Sequence, residues 1–312
     1  MASEVGTGGQ SRSFSLSRLP LTERHVGFLS ILPVILLYLI ISIIPVGYAV
    51  YTSFHEVSLA SQTWPFVGLD NYVEVFQIDR FWDSLVRGVV FMIGSTVLQL
   101  VVGLWMALTL NRIRRGQKLI TAVVFTSYLI PTIVVTLLAT FMFSPAFGVF
   151  QDIGANWLGL WGATEAPLGS RQFAMPLLVL IGTWKFSVFI TIFTLAQLRS
   201  IPTRFYEAAR VCGANKWEMF RDVTLPRIHG VILVAVLLRS IFMFNKFDLI
   251  WTLTQGGPGS ATTTLPVLAY VEGFQNFNLG LANALAVVMF VFLAIGGITY
   301  FRVFNPSSEV ET

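Results

Sequence analysis

The chain has 312 residues, of which 55% are hydrophobic and only 12% charged, with a mean hydropathy of +0.74. Soluble chains carry about 25% charged residues, so this composition excludes a soluble domain and points to a polytopic protein surrounded by lipid. The net charge of +4 and pI near 9.4 do not make nucleic acid a partner, because the cations sit in loops beside apolar runs rather than on one basic face. With one cysteine, Cys212, no disulfide can form within the chain. His25, His55 and His229 lie near span ends with no second ligand at metal spacing.

In chain order, residues 1–25 are rich in Ser and Gly, carry Arg12, Arg18 and Arg24, and read as a disordered tail. A secretory signal is the competing reading. Against it, the uncharged run 26–54 is too long for a signal core and ends without a small-x-small cleavage pattern. It is taken as a first membrane helix over about 27–53, with Pro33 and Pro45 tolerated as kinks. Residues 26–84 group this span with a polar, acidic loop holding Glu56, Asp70, Glu74, Asp79 and Asp83. The core region 85–303 then begins with a second span over about 86–110 and the basic turn of Arg112, Arg114, Arg115 and Lys118. A third span is expected over about 119–143, with Pro131 marking a kink. A Gly-, Pro- and Trp-rich loop, 144–173, leads to a fourth span over about 174–198. After the polar stretch 199–228 come a fifth span over about 229–254, a glycine turn at 256–259, a sixth span over about 279–303 and a short tail, 304–312.

The polar stretch between the fourth and fifth spans organises the rest. Ser200 and Pro202 mark a helix start, and residues 205–212 are mostly good helix formers. Gly213 supplies a turn. Asn215 followed by Glu218 reads as the capping box of a second short helix, and Pro226 either stops that helix or hands over to the next span. Glu207, Ala208 and Ala209, then three residues, Gly213, nine residues, Val223, one residue, and Leu225 with Pro226 complete the pattern. It resembles the EAA loop of the membrane subunits of binding-protein-dependent ABC importers, with Val where Ile is commoner. An amphipathic helix lying on the lipid surface is the bland alternative, but it needs no fixed Gly or Leu-Pro spacing.

The resemblance extends from about residue 25 to 303. The stretches at 68–72 (GLDNY), 244–250 (FNKFDLI), 253–259 (LTQGGPG) and 261–270 (ATTTLPVLAY) are similar to the carbohydrate-uptake branch, and within it to the first, maltose and glycerol-3-phosphate type, of its two permeases. It implies an all-α, six-helix type I importer permease in a prokaryotic cell membrane. Its implied partners are a second permease, two ATPase subunits and an extracytoplasmic solute-binding protein. It also implies a sugar, polyol or sugar-phosphate substrate, and a coupling helix, drawn from Glu207, Ala208, Ala209, Gly213, Leu225 and Pro226, that docks on the ATPase. No cofactor is expected in this chain and no enzyme activity; ATP belongs to the partners, since no Gly-Lys-Ser/Thr phosphate cradle occurs and the glycines at 256–259 read as a flexible turn.

The positive-inside rule orients the spans. Three cations lie in the amino tail, four in the turn after the second span, six in 199–228 and one at the carboxyl end, against Arg80 and Arg171 in the intervening loops. Both termini and the Glu207 stretch are therefore expected in the cytoplasm.

Four ionisable groups fall inside the expected spans: Lys185, Arg239, Lys246 and Asp248. Each charge at membrane depth costs at least ~2.5–3.5 kcal/mol on insertion scales, and such groups usually face a bundle interior or an aqueous path. On one continuous helix Arg239, Met243 and Lys246 would share a face. By resemblance to the maltose-type permeases, the places that hold the sugar are here Lys185, Phe186, Phe189, Arg239, Met243 and Lys246. The structural alternative satisfies these cations with Asp248 and nearby carbonyls, while Lys246 snorkels. An intramembrane enzyme would need a nucleophile and base or a metal set at depth, and a proton-coupled carrier would need a relay of acids; one Asp serves neither.

Overall fold

The computed structural model of the chain describes residues 23–57, 63–113 and 115–304, which are helical apart from turns, loops and an isolated bridge between His55 and Phe66. Of the expected tails, 1–25 and 304–312, residues 1–22 and 305–312 lie outside the described residues, as does Arg114 of the basic turn, while residues 23–25 and 304 belong to helices rather than to a tail. The chain divides into two units between Tyr51 and Thr52.

The first unit is a membrane-length helix within Phe28–Thr52. Pro33 is absorbed inside the helix Glu23–Tyr38, and a π-turn, Leu39–Ile43, precedes Pro45. A proline ring clashes with the carbonyl four residues back, and one wider turn relieves that clash.

In the second unit, continuous membrane-length helices run over Asp79–Arg112, Ala174–Ser200, Lys216–Phe244 and Leu279–Phe304. The expected third span is instead two helices, Gln117–Leu129 and Thr132–Met142, bent by 89° at Ile130 and Pro131. Contacts fix the relative directions. Gly94 meets Val179 while Gly103 meets Ser187 and Ile190, so the second and fourth spans run parallel. Gly88 meets Phe244 while Gln99 bonds Arg239, so the fifth runs antiparallel to the second. Phe244 stacks on Phe292 and Tyr300 bonds the Leu233 carbonyl, so the sixth opposes the fifth. Parallel second and fourth spans require one crossing between them, which the bent pair supplies.

The fourth span is the centre of the unit, with 67% of its apolar window buried, against 28% for the second and 22% for the sixth. Three apolar cores are stacked along it and its neighbours. One packs Val75, Phe81, Phe244, Leu265 and Leu285. A middle one packs Phe91, Leu178, Phe186, Met243 and Leu249. The last packs Ala107, Leu110, Leu195, Leu198, Ile228 and Ile232. The second and fourth spans touch most closely at Gly103, where a β-carbon would lie 2.7 Å from the Ser187 carbonyl oxygen and 2.8 Å from Ile190 Cβ. Small residues permit such backbone approach in lipid.

Residues 52–57 and 63–84, grouped with the first span from sequence, belong to the second unit. Asn71 Nδ2 donates to the Ser53 and His55 carbonyls at 2.8 and 3.0 Å, and Asn283 Nδ2 donates to Thr52 Oγ1 at 2.7 Å. The glycine turn is also more ordered than a flexible connector. Thr262 Oγ1 donates to the Gly257 carbonyl at 2.7 Å, Thr263 Oγ1 to Gly256 at 3.0 Å, and Arg171 Nη2 to Gly259 at 2.9 Å.

The fifth span differs from its expected course at both ends. Its helix begins at Lys216, inside the polar stretch, and ends at Phe244; Asp248–Thr254 is a separate short helix. Pro226 hands over rather than stops, and as at Pro45 a π-turn, Met219–Thr224, precedes it. Lys246 therefore lies in the break, not on the Arg239 face of one helix.

Candidate functional site

The expected site residues fall into two groups, and the helix Lys216–Phe244 runs from one to the other.

The first is the exposed stretch 207–226. Its leading helix, Thr203–Val211, has Pro202 at the N-cap rather than in the first turn. It closes with a Schellman arrangement: Gly213 N–H donates to the Arg210 carbonyl at 3.0 Å and Ala214 N–H to Ala209 at 2.9 Å. Gly213 has φ +83, the left-handed region that a β-carbon disfavours. The expected capping box is formed in both directions. Asn215 Oδ1 accepts from Trp217 and Glu218 N–H at 2.9 and 3.1 Å, and Glu218 Oε2 accepts from Asn215 N–H at 2.7 Å. Glu207 and Ala208 are exposed, Ala209 is half-buried, and Val211 is 90% exposed, so this helix presents an uncovered face. Leu225 and Pro226 lie within the fifth helix, directly after its π-turn Met219–Thr224. Arg227 anchors the junction, its guanidinium 3.8 Å from the Phe205 ring centroid.

The second group lies in the interior around the Phe186 ring. Arg239 Cζ is 5.0 Å from its centroid, Lys246 Nζ 4.4 Å and Lys185 Nζ 5.4 Å. The structure thus brings together three cations that sequence placed on two helices. Lys185, 3% exposed, donates to the Ile130 carbonyl and, at 3.5 Å, to that of Tyr128. Those carbonyls are left open where Pro131 breaks the third span, and an ammonium at a helix C-terminus suits both the orphan acceptors and the dipole. Lys246 pairs with Asp248 at 2.8 Å. Both cations thus have the partners that the structural alternative assigned them.

Arg239 is different. It is 2% exposed, and among the described residues no carboxylate lies within ion-pair distance. Its Nε donates to Gln99 Oε1 at 2.8 Å, Gln99 Nε2 in turn reaches Met243 Sδ at 3.3 Å, and Nη2 is buried without a partner. Phe186, Phe189 and Phe242 place ring centroids 5.0, 5.3 and 5.9 Å from its Cζ. Aromatic faces stabilise a desolvated guanidinium by about 2 kcal/mol, which offsets part of its burial. The arrangement offers aromatic planes beside an unspent N–H donor, a combination suited to holding a polyhydroxylated ring. Gln99 was missed from sequence; a lone amide in the apolar second span was the available signal.

A multi-span helical bundle, with a buried donor and aromatic cluster linked by one helix to an exposed capped stretch, defines a membrane transport subunit. A family model described as binding-protein-dependent transport system inner membrane component matches residues 99–306. The trehalose/maltose transport system permease protein MalF of Thermococcus litoralis is 35% identical over 292 residues, covering 92% of this chain and 96% of that protein. The trehalose transport system permease protein SugA of Mycobacterium tuberculosis is 30% identical over 297 residues, covering 95% and 94%. A crystal structure of a bacterial alginate ABC transporter contains a chain of the same fold, with TM-score 0.76, 23% identity, and coverage of 89% of this chain and 93% of that one. The chain belongs to the family of binding-protein-dependent transport system inner membrane components. It is a multi-pass membrane permease subunit of an importer.

Proposed function

We propose that this subunit carries a sugar or related polyol past the Phe186 and Arg239 cluster, driven by ATP hydrolysed on partner subunits that dock on 207–226. The complete assembly in this reading has a second permease, two ATPase subunits and an extracytoplasmic solute-binding protein, with both termini of this chain in the cytoplasm. The observation that carries it is the helix Lys216–Phe244, which connects the exposed capping box to Arg239 and Met243 without interruption. The sugar class is supported by the 35% and 30% identical relatives, permeases of trehalose/maltose and trehalose transport systems, and by the aromatic and N–H chemistry of the cluster. Lys185, Phe186, Phe189, Arg239, Met243 and Lys246 are the path residues in this reading; Lys185 and Lys246 shape the path, and Arg239 with Phe189 faces the solute.

The test is uptake by the reconstituted complex in proteoliposomes, with trehalose and maltose presented on the cognate solute-binding protein. ATP-dependent uptake of a sugar is expected. Uptake driven by a proton gradient in the absence of ATP would overturn the reading in favour of a secondary carrier.

A further inference from the structure

A cleft separate from the Arg239 cluster has an unusual charge distribution. It has a volume of about 330 Å³ and opens between the ends of the second and fourth spans and the two short helices of the polar stretch. Its walls carry Arg112, Arg210 and Lys216, with Asn111, Tyr206 and Thr224 as further polar groups, and no acidic residue lines it. Among the described residues, no carboxylate lies within ion-pair distance of any of these three cations. Leu108 and Leu198 supply apolar surface.

Like charges crowded around one concavity repel, and a counter-ion of several acceptor oxygens relieves that repulsion while matching the forked donors of arginine. The volume holds about ten waters, ample for a phosphate group and the glycerol it esterifies. Tyr206 and Arg210 are four residues apart and share the helix face that lines the cleft, whereas Glu207 and Ala208 are absent from its lining. A ligand here would leave the uncovered face free.

We propose that this cleft binds a phosphate-bearing anion, which bridges the second span at Arg112 to both short helices at Arg210 and Lys216. Bound phosphate would tie the helix before Gly213, through Arg210, to the helix after it, through Lys216. The same chemistry is offered by an anionic lipid headgroup and by free phosphate, and the site does not depend on which solute the subunit carries.

The experiment uses the intact transporter complex in detergent. Retained phosphatidylglycerol is titrated by native mass spectrometry against phosphatidylcholine as reference, and inorganic phosphate is titrated by thermal shift at constant ionic strength. At least one probe should bind saturably. Arg112→Gln and Lys216→Gln should each weaken that binding by roughly tenfold. Arg115→Gln, in the same basic turn but outside the cleft lining, should leave it unchanged. Lipid binding alone assigns the site to a headgroup, phosphate binding alone to a free anion, and both to the shared group. Absence of saturable binding by either probe overturns the proposal. An equal loss in Arg115→Gln also overturns it, because that result reports general surface charge.

Discussion

Replacing Gly213 probes the proposed coupling stretch without touching a span. At φ +83 the residue sits where an L side chain strains the backbone, yet a β-carbon there would meet nothing within 4 Å. The penalty is therefore torsional alone, about 1–2 kcal/mol for an ordinary side chain and more for a β-branched one. Relaxing that strain means giving up the Gly213 and Ala214 bonds to Arg210 and Ala209, which unwinds the end of the helix bearing Glu207. A shift of 1–2 kcal/mol lowers the population of the capped conformation roughly five- to thirtyfold relative to its competitors. Gly213→Val should accordingly reduce ATPase-subunit retention on affinity purification, and reduce ATP hydrolysis stimulated by the loaded solute-binding protein in proteoliposomes. Gly213→Asn, which tolerates the left-handed region, should recover most of both. Full retention and full stimulation in Gly213→Val would show that this turn does not shape the docking element.

Gly103→Leu should drive the second and fourth spans apart, because its β-carbon already falls within 3 Å of Ser187 O and Ile190 Cβ; a melting temperature like wild type for the solubilised complex would contradict this. Lys185→Met should leave the Tyr128 and Ile130 carbonyls unsatisfied at a cost of about 1–3 kcal/mol, read as lowered thermal stability, and an unchanged melting temperature would count against the capping role. Gln99→Leu should strand the Arg239 guanidinium and impair both stability and uptake. Gln99→Glu should preserve assembly but raise the KM for uptake by pairing with Arg239 and neutralising its charge, and wild-type KM in both Gln99 variants would remove Gln99 and Arg239 from the solute path.

Much of the architecture was legible because it follows from local chemistry. The second, fourth and sixth spans lie within a few residues of the hydropathy limits at most ends, although the second helix continues upstream to Asp79. The Gly213 turn and the Asn215 capping box depend on residues adjacent in sequence. What hydropathy misses is breaks inside apolar stretches. The interval 245–247, Asn-Lys-Phe, is too short to interrupt an averaged apolar run, yet the helix ends there, with Asp248 opening the next helix and pairing with Lys246. Pro131 announced a kink, but the 89° bend is stabilised because the freed carbonyls find Lys185, 55 residues from Ile130 in the chain. Arg239 was marked by its charge, whereas its partner Gln99 carried no charge and lay 140 residues away.

The fifth span is where these observations constrain motion. From Asn215 to Arg239 the helix rises about 36 Å at 1.5 Å per residue, and the π-turn before Pro226 sits near the exposed end. A displacement applied at the capping box therefore reaches the Arg239 level through an uninterrupted backbone. There it meets two kinds of neighbour. Contacts with the sixth span are mostly apolar, with Phe244 stacked 5.3 Å from Phe292 and one bond from Tyr300 to the Leu233 carbonyl at 2.9 Å. Contact with the second span includes the buried Arg239–Gln99 bond, and breaking it would leave a desolvated guanidinium short of another acceptor, a cost of several kcal/mol. Apolar surfaces can slide past one another while that bond resists, so the second and fifth spans should move together against the sixth. The Gln99→Leu variant tests this mechanical claim too. If it hydrolyses ATP in step with uptake as tightly as wild type, the bond is not what keeps the two spans together.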